Sequence, residues 1–139
     1  MASFLYLKAK ESFLSQNPSI DLDTDTIKVT LINLATDNAS HANTLQYLSS
    51  ITAYSGVTAQ TLSSKTVTSG VFDAGDVTFS AVSISGTKVV NGAVIYKDTG
   101  TASTSPLVAW VEFTSSITPN GGDISIAWDN GANKIFALN

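Results

Sequence analysis

His41 is the only histidine of the chain, so any imidazole chemistry would have to run through it. Serine and aspartate are plentiful enough for a Ser-His-Asp relay on paper. Such a triad needs placed partners, however, and the Gly-x-Ser-x-Gly elbow that presents a nucleophilic serine is missing. His41 closes the polar stretch Asp37-Asn38-Ala39-Ser40-His41, which reads as an exposed loop or the start of a helix. Carboxylates come in sequence-close pairs, Asp73 with Asp76 and Asp123 with Asp129; glycoside hydrolysis needs two held about 5–10 Å apart across a cleft. All four lie in turns around Gly70, Gly75, Gly122 and Gly131, where aspartate serves turn geometry. No catalytic residue is assigned, and the chain is expected to be non-enzymatic.

Asp21-Leu22-Asp23-Thr24-Asp25-Thr26 is similar to the opening of a calcium loop. The full pattern requires glycine at the sixth place and glutamate at the twelfth, where Thr26 and Ile32 stand. The motif fails, the stretch reads as a solvated turn, and no metal ligand is assigned. Gly121-Gly122 and Gly131 follow strands and open hairpins rather than helices, so no phosphate cradle forms and no cofactor is expected. Trp128 shares a strand face with Ile124 and Ile126, which points to core packing. Trp110 shares its face with Val108 and Glu112, and three places suit it: a subunit contact, the core, or a sugar-stacking platform. Asn38-Ala39-Ser40 matches a glycosylation acceptor, but without a secretory route it is a chance match.

The chain of 139 residues reads as one domain, large enough for a core without metals or cross-links. It has no cysteine, which excludes disulfides and thiolate zinc sites. All seven basic residues are lysines, and the net charge of -4 argues against nucleic-acid binding, which needs clustered cations. Charged residues make up 13%, against about 25% in typical soluble domains, so serine, threonine and asparagine must supply much of the surface. A weakly charged, hydroxyl-rich exterior suits a protein packed against copies or partners. The opening Met1-Ala-Ser-Phe-Leu-Tyr-Leu-Lys lacks the basic segment of a secretory signal, and no stretch approaches the roughly 18 apolar residues of a membrane span. Synthesis and folding in the cytosol are expected, with no membrane partner.

Several elements must position these residues. Ser3 is placed to cap a helix over Phe4 to about Gln16, with Leu5, Ala9 and Phe13 on one stripe and Tyr6 and Leu14 beside it. Asn17-Pro18 ends it. A second short helix is expected from Ser40 or Asn43 through Leu48. Strands are expected at Thr26–Asn33, Gly56–Leu62, Lys65–Val71 and Asp76–Val82, followed by a meander of Ala93–Lys97, Leu107–Phe113, Ile124–Trp128 and Lys134–Leu138. Asn91-Gly92 fits either a hairpin turn or a kink within one strand. Leu107, Ala109, Val111 and Phe113 alternate with Val108 and Trp110, so this strand is apolar on both faces. A second sheet can cover one face; the N-terminal helix or another subunit is needed for the other. The expected fold is all-β, an antiparallel β-sandwich of jelly-roll type over residues 1–139, with a short N-terminal helix or arm over 1–17 and one further short helix.

The runs Val94-Ile95-Tyr96-Lys97-Asp98-Thr99-Gly100, Ser105-Pro106-Leu107-Val108-Ala109, Thr118-Pro119-Asn120-Gly121-Gly122-Asp123-Ile124 and Trp128 to Leu138 together resemble a family of small structural proteins of tailed bacteriophages. Phe13-Leu14 ahead of Asp23 to Val29, Tyr47 to Ile51, and Lys65 to Val71 with Asp76 to Phe79 extend the resemblance over nearly the whole chain. Val90-Asn91-Gly92 and the loop around Ala53–Ala59 depart from the family pattern. The resemblance implies a virion component, made in the host cytoplasm and placed on the head surface as a capsid decoration (cement) protein. Its partners would be the major capsid protein and further copies of itself, a homotrimer on local threefold axes. The two-faced apolarity makes Phe4, Leu5, Tyr6 and Trp110 the expected assembly contacts. The alternative is a carbohydrate- or receptor-binding module at the tail or on a head fibre, using Trp110.

Overall fold

The computed structural model describes residues 2–138 as an all-β chain with one short helix. The strands marked most strongly in sequence form its centre. β2 (Ile27–Ile32), β7 (Val90–Lys97) and β8 (Leu107–Ile117) lie antiparallel, flanked by the two-residue strands β1 (Phe4–Leu5) and β3 (Gln60–Thr61). The order across this sheet is β1-β8-β7-β2-β3. A smaller sheet runs β10-β5-β4, from β4 (Thr66–Thr68), β5 (Val71–Asp73) and β10 (Phe136–Ala137), and β6 (Val77–Phe79) pairs with β9 (Ile124–Ile126). The antiparallel all-β class is as expected. The strands divide five, three and two rather than into the two four-stranded sheets of a jelly roll.

Register places Ile27, Val29, Leu31, Ala93, Ile95, Ala109 and Val111 on one face of the large sheet, and Thr30, Ile32, Val94 and Trp110 on the other. All but the half-buried Val111 are buried. On the first face, Leu5, Ala109 and Val111 border Ile135 and Phe136, and Phe136 stacks between Phe13 of the helix and Phe72 of β5. The second face is covered by a connecting segment of the chain rather than by the helix. Leu48, Ile51 and Val57, from the long connection between β2 and β3, lie by Thr30 and Tyr96 around an open cleft of about 510 Å³. The chain thus supplies both covers itself.

That connection contains no α-helix; a single 3-10 turn at Leu48–Ser50 replaces the expected second helix. Asparagine side chains compete successfully with helical hydrogen bonds here. Buried Asn38 donates its amide to the carbonyls of Asn33 (2.9 Å) and Thr52 (2.8 Å) and accepts from the Thr52 N–H (2.8 Å). Asn33 Oδ1 accepts from the Thr36 N–H at 3.0 Å, and its Nδ2 donates to the Val89 carbonyl at 2.8 Å. The strand expected over Gly56–Leu62 shrinks to Gln60–Thr61, which pairs with Val29 and Lys28 of β2.

The N-terminus differs from expectation too. Helix α1 covers Leu7–Ser15, not Phe4 onward, because Phe4 and Leu5 pair with Trp110 and Ala109 on the free edge of β8. Ser3 caps nothing; its Oγ accepts the Glu112 N–H at 2.8 Å. Gln16 closes the helix in the left-handed conformation just before Asn17-Pro18, as expected. Ala9 and Ser12 face the body, Phe13 is half-buried, and Leu14 points away.

Two glycines set chain direction. The expected strand Lys65–Val71 folds back on itself at Ser69-Gly70, both left-handed (φ 53° and 79°), a two-residue type I′ connection joining Thr68 to Val71. Gly92 resolves the Asn91-Gly92 ambiguity in favour of a single strand with a register shift between Val90 and Gly92. A Cβ there would sit 2.3 Å from the Val111 carbonyl oxygen and 2.6 Å from Trp110 Cη2, so the indole lies directly over the strand.

Candidate functional site

Phe4, Tyr6 and Trp110 do meet, but as core around His41. Tyr6 Oη and His41 Nε2 are 2.7 Å apart; His41 stacks on Phe4 at 5.5 Å (24°) and meets Trp110 at 4.9 Å (64°). Tyr6 is 0% exposed, Trp110 1% and His41 6%. Burial pushes the Tyr6 phenol up and the His41 imidazole down, so the pair rests neutral on both sides of its hydrogen bond. The expected exposed loop position of His41 is therefore wrong. The Phe4-x-Tyr6 spacing, read as helix, was the signal: alternation on β8 aims both rings at one side.

The expected contact residues need the same correction. Tyr6 and Trp110 offer no surface, and Phe4 and Leu5 are half-buried and paired into their own sheet. Trp128, 7% exposed as expected of core, donates its indole N–H to the Gly75 carbonyl at 2.9 Å. Neither tryptophan stands as a stacking platform. The paired aspartates form no cleft: Asp73 and Asp129 accept locally, from the Ala74 N–H (2.9 Å) and the Gly131 N–H (3.1 Å), whereas Asp76 and Asp123, read as turn residues, instead tie distant segments by accepting from the Trp128 N–H (2.9 Å) and the Ala81 N–H (2.9 Å).

The surface feature that sequence reading missed is beside α1. Phe13, Ile20, Leu22, Val67 and Leu138 line a groove of about 390 Å³, with Gln16, Asp21 and Asp23 completing it. Val67 and Leu138 are each 48% exposed, and the adjacent Leu14 is 90% exposed. Leucine in water at that level gains nothing from folding, and a cluster of such residues is the mark of an association surface. Leu14 was legible as lying beside the helix stripe; which side it faced was not.

The acidic turn supplies the polar rim. Asp25 is neutralised: its carboxylate accepts the Asp21 N–H at 2.8 Å and pairs with Lys97 at 3.0 Å, and Lys65 Nζ donates to its backbone carbonyl. Asp21 and Asp23 face each other instead. The hydrogen bond from Asp23 holds Asp21 below the usual carboxylate range, while the same bond and the Asp21 charge push Asp23 up. The arrangement can hold an apolar side chain beside a cation. Compared with protein-family models, curated proteins and solved structures, the chain finds no match in any of the three.

Proposed function

We propose that this chain is a non-enzymatic structural protein of a tailed-phage virion, a capsid decoration protein that binds major capsid subunits on the head surface. The resemblance of its C-terminal runs, from Val94 to Leu138, to a family of such proteins carries the reading. The exposed apolar groove beside α1 supports it, because cementing needs buried contact area rather than reactive groups. Contacts on the order of 1,000 Å² per neighbour suffice when repeated over a shell, since each weak contact raises the effective concentration of the next. Bridging neighbouring capsid subunits would resist the outward pressure of packaged DNA, and self-association on local threefold axes would multiply the bridges. Imaging the particle tests this directly. Many copies spread over the head support cementing; a few copies confined to the tail remove it.

A further inference from the structure

The groove beside α1 carries its own complement. Leu14 projects from the same helix immediately after the groove-lining Phe13, 90% exposed. Lys10 lies one turn earlier on the Leu14 side of the helix, roughly 6 Å along the axis. Of the seven lysines, Lys8, Lys28, Lys88 and Lys97 are ion-paired and Lys65 is hydrogen-bonded, whereas among the described residues Lys134 and Lys10 have neither kind of side-chain partner, and of these two Lys10 is the one on α1. Asp21 and Asp23 line the groove, and among the described residues neither is in an ion pair.

The groove and the exposed end of α1 next to it therefore hold an apolar knob, an apolar hollow, a cation outside any ion pair and two carboxylates that bond to each other rather than to a cation. A surface with both halves of a contact fits a copy of itself. An unrelated cationic peptide could use the groove and the acids, but it would leave Leu14 and Lys10 unaccounted for. We infer that the α1 groove is a self-association surface, with Leu14 of one copy seated among Phe13, Ile20, Leu22, Val67 and Leu138 of another, and Lys10 set against Asp21 and Asp23. The inference rests on reading the chain as an assembling structural protein, and it names the occupant of that surface as a second copy of this chain.

Sedimentation velocity of the full chain across the micromolar range tests it. The wild type is expected to associate, and Leu14→Glu to sediment as a monomer with unchanged circular dichroism, because so exposed a side chain contributes little to the fold. Lys10→Asp alone, and Asp21→Lys with Asp23→Lys, should each raise the dissociation constant roughly tenfold. All three changes in one chain should restore association, since each contact then holds a reversed pair. A monomeric wild type, an associating Leu14→Glu chain, or a triple variant no better than its parents would overturn the inference. A monomer that still decorates heads would sink this inference and leave the structural role standing. Leu14-dependent association in a chain absent from every particle would sustain this inference and remove that role.

Discussion

Substituting Gly92 by alanine tests how the sheet is built. The added methyl would stand 2.3 Å from the Val111 carbonyl oxygen and 2.6 Å from Trp110 Cη2, both inside the 3.0 Å that Cβ atoms essentially never breach. Neither neighbour can swing aside. The carbonyl belongs to β8, paired with β7 along its length, and the indole is 1% exposed against His41. Overpacking of this kind costs about 3 kcal/mol, the upper part of its range, because backbone must shift. For a chain of this size that is a fall in Tm of roughly 10 °C. Urea unfolding followed by far-ultraviolet circular dichroism measures it, with an unchanged m value as the sign that only the native state has suffered. In a Trp110→Phe background the same substitution should cost about 1 kcal/mol less, since the ring atoms over Gly92 are gone while the carbonyl remains. A Gly92→Ala chain within about 1 kcal/mol of wild type would refute the placement of the indole over the strand.

His41, the single histidine of the chain, makes stability depend on pH below its ordinary pKa. Burial holds its folded pKa below the ordinary 6.5, so the unfolded chain takes up the proton first. Stability is fully present above about pH 6.5 and declines below it, by up to about 1.4 kcal/mol per pH unit, until the folded pKa is passed. His41→Gln should flatten denaturation midpoints between pH 6.5 and 5, and an unchanged slope would show that His41 is not the titrating group. Asn38→Ala strips partners from two carbonyls and one N–H of the 33–52 connection, a loss of about 2–3 kcal/mol, with faster amide exchange there. Exchange no faster than wild type would count against that anchor. The Lys28–Asp98 pair (2.9 Å) is partly solvated, so Asp98→Asn should cost under about 1 kcal/mol. Lys28 holds the Asp98 carboxyl below its ordinary value, so the contribution is present above about pH 4 and disappears as pH falls through the folded pKa; a cost that persists in acid would contradict the pairing.

Much of the sheet was legible because its causes are local. Ile27–Ile32 alternates and is bounded by turn residues, and the Pro-Asn-Gly and Asp-Asn-Gly turns close strands by their own backbone preferences. The apolarity of both faces of β8 correctly demanded two covers. What covered them was not readable, since the asparagine-anchored connection hides its apolar residues among polar ones. The candidate site was the least legible part. Phe4, Leu5, Tyr6 and Trp110 have the composition of an interface and became core or paired strand, whereas Leu14, one residue from a buried stripe, became surface.

Composition and spacing alone determined the antiparallel β class, the end of the helix at Asn17-Pro18 and the turn role of Asp129, because each depends on residues a few positions apart. Tertiary structure decided the rest. Phe4 and Leu5 are strand only because β8 offers an unpaired edge more than a hundred residues on in the chain (Phe4 with Trp110, Leu5 with Ala109), and hydrogen bonds to that edge outweigh one more turn of helix. Pulling those two residues into the sheet starts the helix at Leu7, buries His41 under Phe4 and Tyr6, and leaves Leu14 facing solvent beside the groove.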